Sequence, residues 1–145
     1  MRAFNEVFIA SDHAGLRRKQ EMINHFASLN WLDLGPVTGE SVDYPDFADK
    51  VCQRVLATGG PGVLICGSGQ GMAMRANRHS GIRAALCWNA EVVKLARAHN
   101  DANVLCLGGR LMSLDDCVTM LQVFLATEFE GGRHQVRVSK IDSPL

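Results

Sequence analysis

The sequence predicts an α/β protein in which one doubly wound, flavodoxin- or Rossmann-like sheet of five parallel strands carries helices on both faces. Short apolar runs alternate with longer amphipathic segments along the 145 residues. Such alternation is typical of right-handed crossovers, which build a parallel sheet covered on both sides. No long linker, internal repeat or low-complexity tract interrupts the pattern, and the length suits one domain. We therefore expect a single domain over residues 1–145.

The expected strands are the five short apolar runs. They read VFIA (7–10), WLDL (31–34), GVLIC (62–66), IRAALC (82–87) and NVLCLG (103–108). The last three are almost continuously apolar, which is typical of strands buried on both faces.

The expected helices are the segments whose apolar residues recur at helical spacing. The clearest covers 47–56, with Pro45 suited to its first turn and Gly59 to its end. Another runs from Ser113 to residue 125, with Ser113 and Asp116 in capping-box positions. Apolar spacing indicates two more helices, over 22–27 and 92–99.

The composition excludes several classes of protein. Lysine plus arginine equal aspartate plus glutamate at 15 each, so no net field favours nucleic acid or an anionic membrane. The apolar run 7–10 is too short for a signal peptide, and no run has the length of a membrane span. We expect a cytoplasmic protein.

The five cysteines, at 52, 66, 87, 106 and 117, do not form a metal or redox motif. No two of them stand two to four residues apart, as zinc-ligand pairs and thioredoxin-like pairs do. We therefore expect neither a metal site nor a cofactor. A reducing compartment suits the odd number of cysteines.

The most informative loop is CGSGQG (66–71), which leaves the third expected strand. Its alternate glycines allow backbone N–H groups to converge on an anion at the start of a helix. The position of the last glycine in a dinucleotide-binding loop is occupied by Met72, as is that of the arginine of a cysteine phosphatase. No Walker A lysine follows, and Cys66 stands where a response regulator has aspartate. A tight turn with packing glycines is the alternative.

Cys66 itself allows two interpretations. A cysteine in an apolar run is commonly a small buried hydrophobe. A thiol at a helix N-terminus, however, ionises more readily and can act as a base or nucleophile. Because Cys66 ends a strand beside an anion-binding loop, we favour a functional role.

Other polar residues end expected strands or helices. Asp12 and His13 follow the first strand, where Asp12 could equally cap a helix. His99 ends a helix, a position that the helix dipole alone favours for histidine. Arg133 and Arg137 would share one helical face and could grip a phosphate, although exposed arginine pairs are usually only solvated.

Taken together, these residues suit a phosphorylated sugar with an acidic C–H bond. The set contains a soft base, a loop of donors for a developing oxyanion, a histidine and arginines for a distal phosphate. Proton abstraction next to a carbonyl is the reaction that this set fits best.

A series of motifs in order covers essentially the whole chain. They are SDHAG (11–15), DYPDFA (43–48), CGSGQGM (66–72), NRHSGIRAALC (77–87), HNDANVLCLGGR (99–110) and EGGRHQVR (130–137). In these motifs the chain resembles the type B ribose-5-phosphate isomerases and their galactose-6-phosphate and allose-6-phosphate isomerase relatives. The resemblance implies metal-independent aldose–ketose isomerisation of ribose 5-phosphate and ribulose 5-phosphate through an enediol or enediolate.

The resemblance also implies a role for each residue of the site. Cys66 would be the base, Ser68 would stabilise the enediolate, and His99 would open the sugar ring and donate a proton. The substrate would be bound by Asp12, His13, Gly67, Gly69, Gln70, Gly71 and Asn100, and its phosphate by Arg110, Arg133 and Arg137.

The family builds its site between two subunits, so the resemblance implies a homodimer, or a tetramer containing it. His99 and Asn100 of one subunit would face the cysteine loop of the other, and the segment from about residue 130 would contribute to phosphate binding and to the dimer. A sugar phosphate is thus the expected small-molecule partner, with neither nucleic acid nor membrane.

Two departures and two rival functions remain. A subgroup of the family uses a glutamate base at the position of Met72, so this chain resembles the cysteine subgroup. Gln70 is polar where apolar residues or asparagine are more usual, and could alter the surroundings of the substrate. The rival functions are the same chemistry on a tetrose 4-phosphate or a hexose 6-phosphate, and a sugar-phosphate-binding subunit without turnover.

Overall fold

A single parallel sheet forms the centre of the protein, whose computed structural model describes residues 2–145. Among these residues the sheet has five strands: β1 (Val7–Ser11), β2 (Trp31–Asp33), β3 (Gly62–Cys66), β4 (Ala84–Leu86) and β5 (Val104–Gly108). Each lies within one residue of an expected strand, except that β4 is three residues shorter than its apolar run. The predicted fold class is confirmed.

The order of the strands across the sheet is β2-β1-β3-β5-β4, and all pairs are parallel. A flavodoxin-like sheet has the order 2-1-3-4-5, so its last two strands are exchanged here. The connection from β3 skips one position before β4, and β5 then fills the gap between them. In this register Cys66 lies opposite Gly108.

The expectation that run 82–87 is a strand buried on both faces was wrong. β4 is an edge strand, and its three residues are only partly buried. β1, β3 and β5 are instead completely buried, because they occupy the three central positions of the sheet.

Six helices occur in the described chain: α1 (Leu16–His25), α2 (Tyr44–Thr58), α3 (Gln70–Ala76), α4 (Ala90–Asn100), α5 (Leu114–Ala126) and α6 (Arg133–Asp142). The expected boundary signals are confirmed. Pro45 lies in the first turn of α2, which Gly59 ends in a left-handed conformation, and the Ser113 side chain accepts a hydrogen bond from the amide of Asp116. Helix α1 begins earlier than expected and ends at His25, so Phe26 and Ala27 lie beyond it.

The helices cover both faces of the sheet. Helices α1, α4 and α5 enclose one apolar core, which includes Ile9, Met22, Val93 and Phe124. Helices α2 and α3 enclose the other, which includes Cys66. Helix α6 packs outside this sandwich, against α4. Within residues 2–145, no helix is both long and apolar enough to cross a membrane.

Candidate active site at the carboxyl edge of the sheet

The carboxyl ends of the strands carry a cleft of about 510 Å³. The loops after β1, β3 and β5 meet there with the start of α2, as expected for a doubly wound sheet. The lining residues are Asp12, His13, Ala14, Tyr44, Cys66, Gly67, Ser68, Gly71, Arg110 and Leu111. Apart from the glycines, six predicted site residues end or follow strands at the carboxyl edge of the sheet. Five of them line the cleft, namely Asp12, His13, Cys66, Ser68 and Arg110, and the sixth, Gln70, does not.

Cys66 is the only cysteine among the lining residues of this cleft. Its side chain ends β3 with 5% of the residue exposed, and its Sγ accepts a hydrogen bond of 3.2 Å from the backbone N–H of Gly69. Burial raises the pKa of Cys52 to about 12 and that of Cys87 to about 11, and it also raises the pKa of Cys106 and Cys117. Those four thiols therefore stay protonated near neutral pH.

The glycine loop is held in place by the end of β5. The amide of Gly109 donates to the carbonyl of Cys66 across 2.8 Å, and the amide of Arg110 donates to the carbonyl of Gly67 across 3.0 Å. Gly69 has φ +82°, and a Cβ there would stand 2.9 Å from the backbone of Leu107. This residue must be glycine for both reasons. Backbone pairing therefore extends past the ends of β3 and β5 and fixes the loop against the sheet.

Gly69 and Gln70 were expected to bind substrate, but in the structure they make contacts within the loop. Neither residue lines the cleft. The amide of Gly69 is occupied by the sulfur of Cys66, and Gln70 is exposed at the start of α3, where its amide donates to Oγ of Ser68 across 3.4 Å. Gly67, Ser68 and Gly71 are the loop residues that face the cleft.

The turn after β1 is organised by Asp12. One of its carboxylate oxygens accepts a 2.9 Å hydrogen bond from the amide of Gly15, immediately before α1. The side chain thus stabilises the turn before the helix but does not cap it, because the N-cap residue is Gly15 and no side chain caps α1. Asp12 also lines the cleft. The neighbouring His13 accepts a hydrogen bond at Nδ1 from the backbone N–H of Val42, at 3.2 Å.

Tyr44 is a residue of the cleft that sequence reasoning did not single out. It starts α2 and lies so close to Gly71 that a Cβ there would stand 2.6 Å from the phenolic oxygen. The loops that follow every strand of a parallel sheet meet at the same edge. Applying this rule to the connection after β2 would have placed Tyr44 near Cys66.

His99 and Asn100 lie at the opposite end of the strands, near where β5 begins. Helix α4 runs antiparallel to the strands and ends at Asn100, just before β5 begins, whereas Cys66 pairs with the last residue of β5. A five-residue strand spans roughly 15 Å. Neither His99 nor Asn100 lines the Cys66 cleft, so one chain does not bring the expected base and the expected ring-opening histidine together.

His99 instead belongs to a cluster with His134. Their rings are stacked, with centroids 4.2 Å apart and planes 13° from parallel, and Nε2 of each lies 3.7 Å from Oε1 of Glu130. Burial, followed by the nearby charge of His99, lowers the pKa of His134, which favours its neutral ring. 

The three side chains of this cluster offer donor atoms within 4.8 Å of one another. A metal ion shared by two imidazoles must lie close to the plane of both rings, because the ligating lone pair of each nitrogen lies in its ring plane. Stacked rings do not provide that position. In the observed geometry the cluster is a stacked histidine pair beside a carboxylate.

One of the three arginines expected to bind phosphate lies at the Cys66 cleft, and the other two lie on α6. Arg110 lines the Cys66 cleft. Arg133 and Arg137 are exposed on α6, a helix that confirms their predicted spacing of one turn, and Nη1 of Arg137 donates to the carbonyl of Arg133 across 2.8 Å. Neither of these two arginines lines the Cys66 cleft.

Known proteins resemble this chain along almost its whole length. A family model described as Ribose/Galactose Isomerase matches residues 7–141. Ribose-5-phosphate isomerase B of Escherichia coli K12 is 37% identical over 141 residues, covering 94% of this chain and 93% of that protein. 

Two solved structures extend the similarity to three dimensions. A ribose 5-phosphate isomerase from Thermotoga maritima has a TM-score of 0.93 and 44% identity, covering 97% of this chain and 99% of that one. Ribose-5-phosphate isomerase B from Mycoplasma genitalium with bound ribulose 5-phosphate has a TM-score of 0.90 and 42% identity, covering 94% and 93%. The chain therefore belongs to the ribose/galactose isomerase family, as its sequence motifs predicted.

Proposed function

We propose that this protein interconverts ribose 5-phosphate and ribulose 5-phosphate, acting as a sugar-phosphate aldose–ketose isomerase in the cytoplasm. The observation that carries the proposal is the Cys66 thiol at the floor of an open cleft, beside the glycine loop and Arg110. The names of the E. coli and T. maritima relatives, and the ribulose 5-phosphate bound to the M. genitalium protein, support the choice of substrate. All five cysteines are free thiols, which suits a reducing compartment.

In the proposed reaction Cys66 moves one proton between two neighbouring carbons. Its thiolate removes the proton from C2 of open-chain ribose 5-phosphate, and the electron pair forms the C1–C2 double bond while the negative charge develops on O1. A proton shifts from O2 to O1, and the thiol then returns its proton to C1. The product is ribulose 5-phosphate, and no external oxidant or reductant is needed.

The loop residues around Cys66 would stabilise the enediolate. Gly67, Ser68 and Gly71 line the same cleft, so the candidate donors are the Ser68 hydroxyl and the backbone N–H groups of the two glycines. Donors that are already in place where negative charge develops lower the barrier without reorganising. The amide of Gly69 would serve the thiolate instead, because it already donates to Sγ.

The complete site would form across a homodimer. His99 and Asn100 sit roughly one strand length from the Cys66 edge of their own chain. A two-fold arrangement would place these residues, with Arg133 and Arg137, over the Cys66 cleft of the other subunit. The phosphate would then be held by Arg110 from one chain and by the two α6 arginines from the other.

The test of this proposal mixes two inactive variants. Cys66→Ala and His99→Asn are each purified, unfolded or dissociated together, and reassembled at equal amounts. Random pairing makes half of the dimers mixed, and each mixed dimer has one intact site and one doubly altered site if the sites are shared. We expect about a quarter of the wild-type activity to return. No recovery, with mixed dimers demonstrated by mass spectrometry, would contradict the shared site.

A substrate panel tests the reaction itself. We expect the highest kcat/KM with ribose 5-phosphate among this sugar, erythrose 4-phosphate, allose 6-phosphate and galactose 6-phosphate. A preference for one of the others would reassign the substrate within the same chemistry. Binding of sugar phosphates with no turnover of any of them would instead favour a non-catalytic binding subunit.

A further inference from the structure

We propose that the backbone amide of Val42 sets the tautomer of His13, so that His13 presents its Nε2–H to the cleft as a hydrogen-bond donor. The Val42 N–H donates to Nδ1 of His13 across 3.2 Å, and the imidazole lines the same cleft as Cys66. The inference deepens the proposed function, since the group that Nε2–H would serve is an oxygen of the sugar phosphate.

The direction of the hydrogen bond determines which ring nitrogen carries hydrogen. A neutral imidazole has one donor and one acceptor nitrogen, and a backbone N–H can only be satisfied by the acceptor. Nδ1 therefore has no hydrogen in the neutral ring, and Nε2 has one. Among the described residues Nε2 of His13 has no protein partner, which leaves it available to a ligand.

Such a donor suits a phosphorylated sugar. Hydroxyl, carbonyl and phosphate oxygens all accept hydrogen bonds, and the cleft already contains the guanidinium of Arg110 as a second donor. In this tautomer Nε2 of neutral His13 cannot accept a proton from the substrate. His13 would therefore bind and orient the sugar, and Val42 would act as a positioning residue through its main chain.

The segment that carries Val42 is anchored at its start by a buried lysine. Lys19 on α1 is buried, and its Nζ donates to Oδ1 of Asp33 and to the carbonyl of Pro36, both at 2.7 Å. The same Oδ1 accepts a 2.9 Å hydrogen bond from the amide of Gly35. A buried ammonium is costly unless it is paired, so these partners hold the start of the segment firmly.

The other end of the segment is fixed by helix α2. Val42 precedes Tyr44, the first residue of α2, by two positions, and Val42 is partly buried while residues 37–41 are exposed. The connection is thus held at 33–36 and continues directly into α2 at Tyr44. Because both ends are fixed, the amide of Val42 has a defined position from which to meet His13.

The first experiment reads the tautomer directly in the substrate-free wild-type protein. Long-range ¹H–¹⁵N correlation spectra at pH 8 distinguish a ring nitrogen with hydrogen from one without, and a His13→Gln variant assigns the His13 signals. We expect Nδ1 of His13 to have the shift of an acceptor nitrogen and Nε2 that of a protonated one. The opposite assignment overturns the proposal whether or not ribose 5-phosphate is the substrate.

The second experiment removes the amide. Val42→Pro lacks the N–H, Val42→Ala keeps it, and Glu40→Pro places a proline in the same segment at an exposed residue whose amide has no hydrogen bond among the described residues. We expect only Val42→Pro to give averaged ring ¹⁵N shifts for His13, as the ring samples both tautomers. Its kcat/KM for ribose 5-phosphate should fall about three- to tenfold, as expected for one lost hydrogen bond.

The outcomes separate the two proposals. Unchanged ¹⁵N shifts and unchanged kcat/KM in Val42→Pro would show that the amide does not control the ring. If Val42→Pro fails to fold, the wild-type spectrum still decides the tautomer. If the wild-type protein turns over no ribose 5-phosphate, the proposed function fails, while the tautomer assignment is still tested by the spectra.

Discussion

The backbone N–H of Gly69 donates a hydrogen bond to Sγ of Cys66 at 3.2 Å, inside a loop that is itself paired to the end of β5. The sulfur therefore occupies one position at the floor of the cleft. Gly69 can approach so closely because its φ of +82° and the absence of a Cβ allow the chain to turn over the backbone of Leu107. The same residue therefore meets a steric requirement, the absence of a Cβ beside Leu107, and donates the hydrogen bond that holds the sulfur.

Replacing the base should abolish turnover without unfolding the protein. We expect Cys66→Ala to lose a factor of about 10² to 10⁴ in kcat/KM, the usual contribution of a positioned acid–base group. The buried Cys87 provides the matched control, because it lies outside the cleft. Cys87→Ala should keep its activity. Isomerase activity near the wild-type level in Cys66→Ala, measured on freshly purified protein, would remove Cys66 from the chemistry.

The role of His99 can be isolated by comparing two substrates. Ribose 5-phosphate is mostly a closed furanose, whereas erythrose 4-phosphate carries its phosphate on the oxygen that would close a five-membered ring. Only the first sugar needs ring opening, which an imidazole can assist by proton transfer. Provided that the wild type turns over both, His99→Asn should lower kcat/KM much more for ribose 5-phosphate. Equal losses for the two sugars would assign His99 to positioning or to the enediol step.

Gly69→Ala should destabilise the fold. A left-handed conformation costs a residue with a Cβ about 1–2 kcal/mol, and the contact with Leu107 adds an overpacking cost of about 1–3 kcal/mol. Gly59 is the matched control, because its φ is +79° but a Cβ there meets nothing within 4 Å. Urea unfolding should therefore show a larger loss for Gly69→Ala than for Gly59→Ala. Equal losses would mean that the loop relaxes and that crowding has no energetic effect.

The pair of Lys19 and Asp33 should respond asymmetrically to mutation. The Lys19 side chain is 1% exposed, whereas that of Asp33 is 37% exposed. Asp33→Ala leaves a buried ammonium without its carboxylate, and the cost of about 3–5 kcal/mol known for fully buried pairs is an upper value here. Lys19→Met leaves a carboxylate that water can reach, so its cost should be smaller. Denaturant unfolding of both variants would contradict this expectation if Lys19→Met were the less stable.

Asp49 should stabilise the fold in a pH-dependent way. Arg75 donates two hydrogen bonds to its carboxylate, at 2.8 and 2.9 Å, and lowers the pKa of Asp49 below its usual value, with a smaller contribution from His79. A carboxyl group whose pKa is lower in the folded state stabilises the protein above its unfolded-state pKa of about 4. That stabilisation is lost as the pH falls through the lower, folded-state pKa.

The difference in Tm between the wild type and Asp49→Asn should therefore shrink as the pH falls from about 5 towards 3. Glu40→Gln, at an exposed position on the segment before α2, should show no such change. A Tm difference for Asp49→Asn that stays the same down to pH 3 would contradict the expected link to ionisation.

The sequence by itself determined the class of fold, the approximate place of every strand and the position of the glycine loop after β3. These features depend on neighbouring residues: apolar periodicity distinguishes strand from helix, and local signals such as Pro45, Gly59 and Ser113 mark helix ends. The motifs added the family, since their order along the chain does not require knowledge of how they meet in space.

Only the tertiary structure decided the order of the strands and which residues distant in sequence lie close together. The β2-β1-β3-β5-β4 order made β4 an edge strand and placed Gly108 next to Cys66, although alternating strands and helices permit other orders. It also separated His99 from Cys66 and brought Val42 into contact with His13, 29 residues away in sequence. The physical reason is that periodicity and capping are local, whereas strand order depends on how two apolar cores are buried together across a single sheet.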